Sequence, residues 1–369
     1  MEASGLIAPA FEQGCIAEVV PALLSDERAA VWLPEPVRTA EQIVLLVLDG
    51  VGWNQLRARP LVAPTLTAMT GGPITSVAPT TTATALCSIV LGMAPADHGI
   101  VGYRMRVPGD RVLNVLRWRT AGGDARESVP PSVFQPLAAF GGRPTPVVTK
   151  AEFRNTGFTT ALGIDRLHGW HAPSSIAVEV DRLLAAGEDF IYAYYDGVDK
   201  IAHAHGFGAH YDAELSAADR IVADVRAVLP SGAVLVVTAD HGQVEVGDDV
   251  VVLDEGLLAD TAMVSGEGRF MWLHARKGCA ESLRARAQDL YGDSDVALVA
   301  TRQDVIEAGW FGGPLTPLIE ARLGDVALVA RKTIAFVDPS DTGSQALRCR
   351  HGSLTPDEML VPLLAVGSA

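Results

Sequence analysis

Cysteine is scarce: four residues among 369 (Cys15, Cys87, Cys279, Cys349), scattered and without a CxxC pair. That excludes a disulfide framework and fits small apolar fillers or surface thiols in a reducing compartment. Basic residues are also short, 29 against 44 acidic ones, for a net charge of −15. This balance argues against a broad surface for a nucleic-acid polymer or an anionic membrane. It leaves a small anionic substrate open, because bound metal ions can reverse the local field. No window reaches the ~18 consecutive apolar residues of a membrane span. The opening MEASGLIAPAFEQGC lacks a basic start and a sustained apolar run, so the expectation is a soluble, cytoplasmic protein.

What is present is a globular composition, 49% apolar and 20% charged. The run Ile43–Leu48 is continuously apolar and ends in Asp49-Gly50. Such a run reads as a strand buried on both faces of a parallel sheet. Two further runs, Phe190–Tyr195 and Ala233–Thr238, likewise lead into an acidic residue followed at once or soon by Gly: Asp196-Gly197 and Asp240-His241-Gly242. Three strands with acidic carboxyl ends suggest an α/β fold with a site beyond those ends. Helices are expected at Trp53–Arg59, Pro64–Met69, Ala83–Leu91, Ser174–Ala186 and Ala209–Leu229, with shorter strands at Ile74–Val77 and Pro146–Thr149. Residues 1–41 read as an irregular, Pro-punctuated arm, and 103–142 have too little periodicity to assign. Residues 250–338 read as an inserted α+β cap on a core made of 1–249 and 339–369. Within the cap, Val326–Ala330 and Thr333–Val337 suggest a hairpin across Arg331-Lys332.

The chemistry-bearing residues cluster at the strand ends. Asp49 can be a hard oxygen ligand or a helix cap. Asp199 and His203 are spaced i,i+4, which on a helix puts carboxylate and imidazole on one side, suited to zinc. Asp196, His205 and His210 lie close enough in sequence to compete for that role. Asp240 and His241 are contiguous, and Gly242 would permit the turn that brings both to one ion. His351-Gly352 alone is a weak signal. Thr80, Thr81 and Thr82 stand where a strand gives way to a helix. A hydroxyl there can cap the helix, or serve as a nucleophile if a base or metal removes its proton.

Taken together these elements resemble the alkaline phosphatase superfamily, and within it the type I phosphodiesterase/nucleotide pyrophosphatase family. The matching pieces, in order, are LDG at 48–50, the threonines with SIVLG at 88–92 and HGI at 98–100, D-x3-H-x2-G at 199–206, ADHG at 239–242 and HG at 351–352. The resemblance implies a three-layer sandwich with a largely parallel sheet. It also implies two divalent metals, zinc or else manganese, bound by Asp49, Asp240 and His241 on one side and Asp199, His203 and His351 on the other. Thr82, ten residues before Gly92, would be the nucleophile and a ligand of the first metal, passing through a covalent phospho-threonine. Thr80 and Thr81 are the alternatives.

Two features depart from the family pattern. The Asn that helps hold the phosphoryl group is replaced by Ala85, so Thr84, a backbone N–H or a distant side chain must substitute. The Pro before the ligand Asp is Val198. No Arg adjoins Thr82, and Arg104 and Arg106 lie beyond the HGI loop. Tyr103, Trp118, Phe153 and Phe158 are candidates for stacking on a nucleobase or for packing. The resulting expectation is a metal-dependent phosphodiesterase or nucleotide pyrophosphatase acting on a small phosphate-containing anion. The rivals are a phosphomonoesterase, phosphonate hydrolase or phosphomutase on the same metals, and a non-catalytic relative.

Overall fold

The computed structural model describes residues 5–339 and 347–368. Its centre is a seven-stranded sheet in the order Thr70–Thr75, Leu360–Gly367, Ala233–Thr238, Gln42–Leu48, Phe190–Tyr195, Val147–Lys150, Leu167–Trp170. Leu360–Gly367 is the one reversed strand: it pairs antiparallel with both neighbours, and all other pairings are parallel. Every residue of Phe190–Tyr195 and Ala233–Thr238 is buried, so both faces of the sheet are covered, as the continuous apolar runs required. Successive tyrosines mark the two faces. Tyr194 donates its hydroxyl to Asp49, whereas Tyr195 donates to Glu214 of the Ala209–Ala227 helix on the other side. The architecture is the expected three-layer α/β sandwich.

Several local expectations change. Residues 1–41 are not a bare arm: Ile16–Leu24 is a helix despite Pro21, with Ile16, Val19, Val20 and Leu23 buried, and it packs on the Thr82–Leu91 helix. The strand expected at Ile74–Val77 runs instead over Thr70–Thr75 at the sheet edge. Residues 104–124 form a small antiparallel sheet of strands two to four residues long. Val326–Ala330 and Ala335–Val337 are both strands but not a hairpin. The first pairs with Phe270–Ala275 and Ala297–Thr301, the second runs parallel to Val250–Val252. Residues 261–330 supply a four-stranded antiparallel sheet, and a separate apolar cluster that includes Leu257, Leu273, Leu283 and Leu328 lies on it.

That second unit is tied to the C-terminal segment by a fully buried ion pair. Arg269 meets Glu358 through two hydrogen bonds of 2.7 Å and donates further to the carbonyls of Lys332 and Ile334. Glu358 also accepts from the Ser353 amide and the Thr355 hydroxyl. With every polar atom partnered, the pair is stable, but removing one member strands a buried charge. Arg269→Met is expected to cost about 3–5 kcal/mol in denaturant unfolding, and the paired change Arg269→Met with Glu358→Leu markedly less.

Glu267 lies nearby, half-buried with one carboxyl oxygen shut off from solvent, its acid pushed up to about 8 mainly by loss of solvent. Its folded value exceeds the unfolded one. Its stabilising effect is therefore complete below about pH 4.5 and lost as pH rises through about 8. Metal-free wild type should lose stability across that window, at up to about 1.4 kcal/mol per pH unit. In Glu267→Gln the same unfolding series should be flatter.

Candidate active site

Four of the seven predicted site residues, Asp49, Asp240, His241 and His351, follow strands, Asp199 and His203 lie on the helix after Phe190–Tyr195, and Thr82 opens another helix. Asp49 follows Gln42–Leu48, and it caps no helix, because the next one begins after Gly52. Asp240 and His241 follow Ala233–Thr238. Asp199 and His203 share one side of the Gly197–His205 helix, as their spacing predicted. His351 arrives from the loop before the last strand. Gly242 earns its place for a different reason from the one expected: a side chain there would collide with the Asp357 carbonyl. Gly50 does need its freedom, at φ 74°, and its amide donates to Asp240 Oδ1 at 3.1 Å.

The three histidines are oriented alike. His203 Nδ1 donates to the Cys349 carbonyl at 2.7 Å, His351 Nδ1 to the Thr80 carbonyl at 2.7 Å, and His241 Nδ1 to the Gly242 carbonyl at 3.1 Å. A carbonyl can only accept, so each Nδ1 carries a hydrogen, and in the neutral ring that leaves Nε2 as the lone pair. Those Nε2 atoms face carboxylates. His203 Nε2 lies 3.3 Å and His351 Nε2 3.9 Å from Asp199 Oδ1. His241 Nε2 lies 3.5 Å from Asp49 Oδ1 and 3.4 Å from Asp240 Oδ2. Two groups have donor atoms within 4.8 Å of one another: Asp49, Asp240 and His241; and Asp199, His241 and His351. His203 stands just outside the second group, held against Asp199.

A divalent cation fits this arrangement. Asp49 Oδ1 and Asp240 Oδ2 are buried and have no hydrogen-bond partner. Burial pushes both carboxyls above the usual carboxylate range, and the other carboxylates of the cluster reinforce the shift. Burial, together with His241 and His203, holds the His351 imidazole well below its ordinary value. Carboxyl oxygens crowded together and facing imidazole nitrogens are a donor set that a positive charge would satisfy.

The three threonines separate by role. Thr80 donates to the Ser353 carbonyl at 2.6 Å and accepts the Gly352 amide at 3.0 Å. Thr81 is the buried N-cap of the Thr82–Leu91 helix and makes no capping bond. Thr82 is the first helical residue, and its Oγ1 is 3.1 Å from His241 Nε2. It also lines a cavity together with Asp49 and Asp199. Thr84 does not replace the missing Asn. Two residues past Thr82, its side chain leaves the helix about 200° away, and its buried hydroxyl is unpartnered.

Other candidates are not brought to the cluster. Asp196 is matched by two lysines, Lys150 and Lys200, each at 2.7 Å. His205 and His210 stack on one another 4.1 Å apart. Arg106 pairs with Asp110. Trp118 is buried with its ring N–H on the Val129 carbonyl, and Tyr103 accepts from Asn114. Phe153 and Phe158 do line the cavity. Missed from sequence were Tyr194, which donates to Asp49, and Gln243, which donates to Asp199 Oδ1 at 3.0 Å. Strand pairing could have found the first, since Leu48 registers with Tyr195.

Comparison with known proteins follows the same lines. The sequence profile of the type I phosphodiesterase/nucleotide pyrophosphatase family matches residues 43–182 and 163–354. No curated protein sequence matches. Among solved structures, murine ectonucleotide pyrophosphatase/phosphodiesterase 5 is similar at 15% identity, covering 89% of this chain and 88% of its own, with a TM-score of 0.64. An inactive variant of the same murine protein in complex with AMP gives 14% identity, the same coverage and a TM-score of 0.66. Phosphonoacetate hydrolase from Sinorhizobium meliloti 1021, in complex with phosphonoformate, gives 19% identity, 90% and 91% coverage and a TM-score of 0.66. The chain therefore belongs to the type I phosphodiesterase/nucleotide pyrophosphatase family of the alkaline phosphatase superfamily, and is an enzyme of the class that hydrolyses phosphoric ester or anhydride bonds.

Proposed function

We propose that the chain is a two-metal phosphodiesterase or pyrophosphatase with Thr82 as its nucleophile. The observation that carries the reading is the shared orientation of His203, His241 and His351, each Nδ1 tied to a backbone carbonyl and each Nε2 turned to the carboxylates. Asp49, Asp240 and His241, with Thr82, would hold one ion. Asp199, His203 and His351 would hold the other. The mixed nitrogen and oxygen donors favour zinc over magnesium and leave manganese as the second choice. When bound, such ions lower the pKa of a coordinated hydroxyl and neutralise charge on the phosphoryl oxygens and leaving group.

The chain's own residues supply the rest. Thr82 Oγ1 attacks phosphorus in line as the ester or anhydride oxygen departs, leaving a phospho-threonine that water hydrolyses. The first-turn amides of Ala83 and Thr84 lie where a helix leaves its donors unpaired, and they can bind a phosphoryl oxygen in place of the missing Asn. Tyr194 and Gln243 orient Asp49 and Asp199 from behind. Residues 250–338 form a cap subdomain in this reading, supported by their separate apolar cluster. A reducing, cytoplasmic setting is supported by four free cysteines, three of them buried. No helix among the described residues is long and apolar enough to cross a membrane.

Hydrolysis of a nucleotide-linked p-nitrophenyl diester beside p-nitrophenyl phosphate tests the reaction. The diester should be cleaved faster. Chelation should abolish turnover until zinc is restored, and Thr82→Ala should lower kcat by about a thousandfold or more. Preference for the monoester would move the protein to the phosphatase side, and indifference to both treatments would sink the assignment. Metal analysis gives a separate check. His351→Ala should retain about one of two ions per chain, whereas His205→Ala should retain both.

A further inference from the structure

The Thr82–Leu91 helix runs on from the ligand cluster as one wall of a cavity of about 430 Å³. Thr82, Leu86 and Val90 all line it. Spaced i, i+4 and i+8, they make a wall about 12 Å long on one face of the helix. The facing wall is the sheet. Val147 is in register with Tyr192, and Thr149 and Tyr194 follow two residues on, on the same face. Because Tyr194 bonds Asp49, the Thr149–Tyr194 layer marks the ligand end, and the Val147–Tyr192 layer lies one step deeper. Phe158, Leu162 and Ile164 also line the cavity.

Charge is confined mainly to one end. Asp49, Asp196, Asp199 and Lys200 belong to the strand ends and the helix at the cluster, and Arg117 joins the lining from an exposed turn. The bordering threonines Thr156 and Thr159 use their hydroxyls on each other and on the Phe153 carbonyl. Away from the charged end and the exposed Arg117, a nucleobase in this slot would find only the hydroxyls of Thr149 and Tyr192 for its ring nitrogens and exocyclic groups. Burying such groups unpaired is unfavourable.

We propose that this slot holds an uncharged hydrocarbon chain carried on an ester oxygen of the substrate, so that the enzyme acts on alkyl phosphoesters. The inference rests on the reading of Thr82 and the ligand cluster as the reacting centre. At about 1.3 Å of advance per carbon, for bonds of about 1.5 Å, a 12 Å slot takes roughly eight or nine carbons.

The test uses zinc-loaded enzyme and p-nitrophenyl phosphodiesters whose second ester group is methyl, butyl, octyl or dodecyl, beside the thymidine 5′-ester. kcat/KM should rise about three- to fourfold per methylene to octyl, level off by dodecyl, and exceed the nucleotide ester at octyl. A flat series, or preference for the nucleotide, overturns the proposal. Val90→Phe, which fills the far end, should lower the octyl-to-butyl ratio tenfold or more, and an unchanged ratio also counts against it. Calorimetry with octylphosphonate and methylphosphonate, which have no ester to cleave, reads the slot without turnover. The octyl compound should bind at least a hundredfold tighter. Tight octylphosphonate binding without hydrolysis of any ester would leave the slot standing and defeat the reaction. Hydrolysis with equal binding of the two phosphonates would do the reverse.

Discussion

The constraint on which the structure turns is the burial of anionic oxygens at one edge of a sheet. Asp49 and Asp240 stand side by side, almost wholly removed from water. Among the described residues no lysine or arginine pairs with either. Their inward oxygens lack even a hydrogen bond. Such an arrangement is unfavourable on its own terms and becomes favourable around a cation. Parallel strands with fully apolar faces are what allow it. The sheet is held rigidly by its two helical layers, so the ends of Gln42–Leu48 and Ala233–Thr238 cannot splay apart to relieve the repulsion. Fold stability thus holds the donors in place.

The same logic divides neighbouring residues of one type. Three consecutive threonines meet three surroundings: Thr80 clamps the Gly352–Ser353 backbone, Thr81 is the buried N-cap of the helix, and Thr82 faces His241. Asp196 and Asp199 are three residues apart, yet Asp196 is matched by two lysines while Asp199 faces two imidazoles. Side-chain identity alone does not separate these roles; the local counter-charge does.

Legibility in the sequence followed burial. Gln42–Leu48, Phe190–Tyr195 and Ala233–Thr238 were readable because strands covered on both faces must be apolar throughout. The acidic residues at their ends stood out for the same reason. Thr70–Thr75 was misplaced because TGGPIT, at a sheet edge, carries two glycines and a proline that mask any strand signal. The Ile16–Leu24 helix was hidden by Pro21. The apparent hairpin at 326–337 failed because adjacent strands may each find an earlier partner, and apolar runs do not encode which. Of the site, the residue types and spacings were visible. The backbone carbonyls that aim the histidines were not, because a carbonyl has no sequence signature.

The bond from His351 to the Thr80 carbonyl spans 271 positions of chain. That long closure has a consequence in time. A chain that stops at residue 350 carries Asp49, Asp199, His203, Asp240 and His241 but not His351. It still lacks the segment that completes the donor set, and the reversed strand Leu360–Gly367 that seals the sheet beside Ala233–Thr238. Joining segments so far apart in sequence carries a loop-closure cost that slows folding. The cluster at the strand ends is therefore complete only when the segment around His351 is in place, so an unfinished chain does not carry a finished cluster.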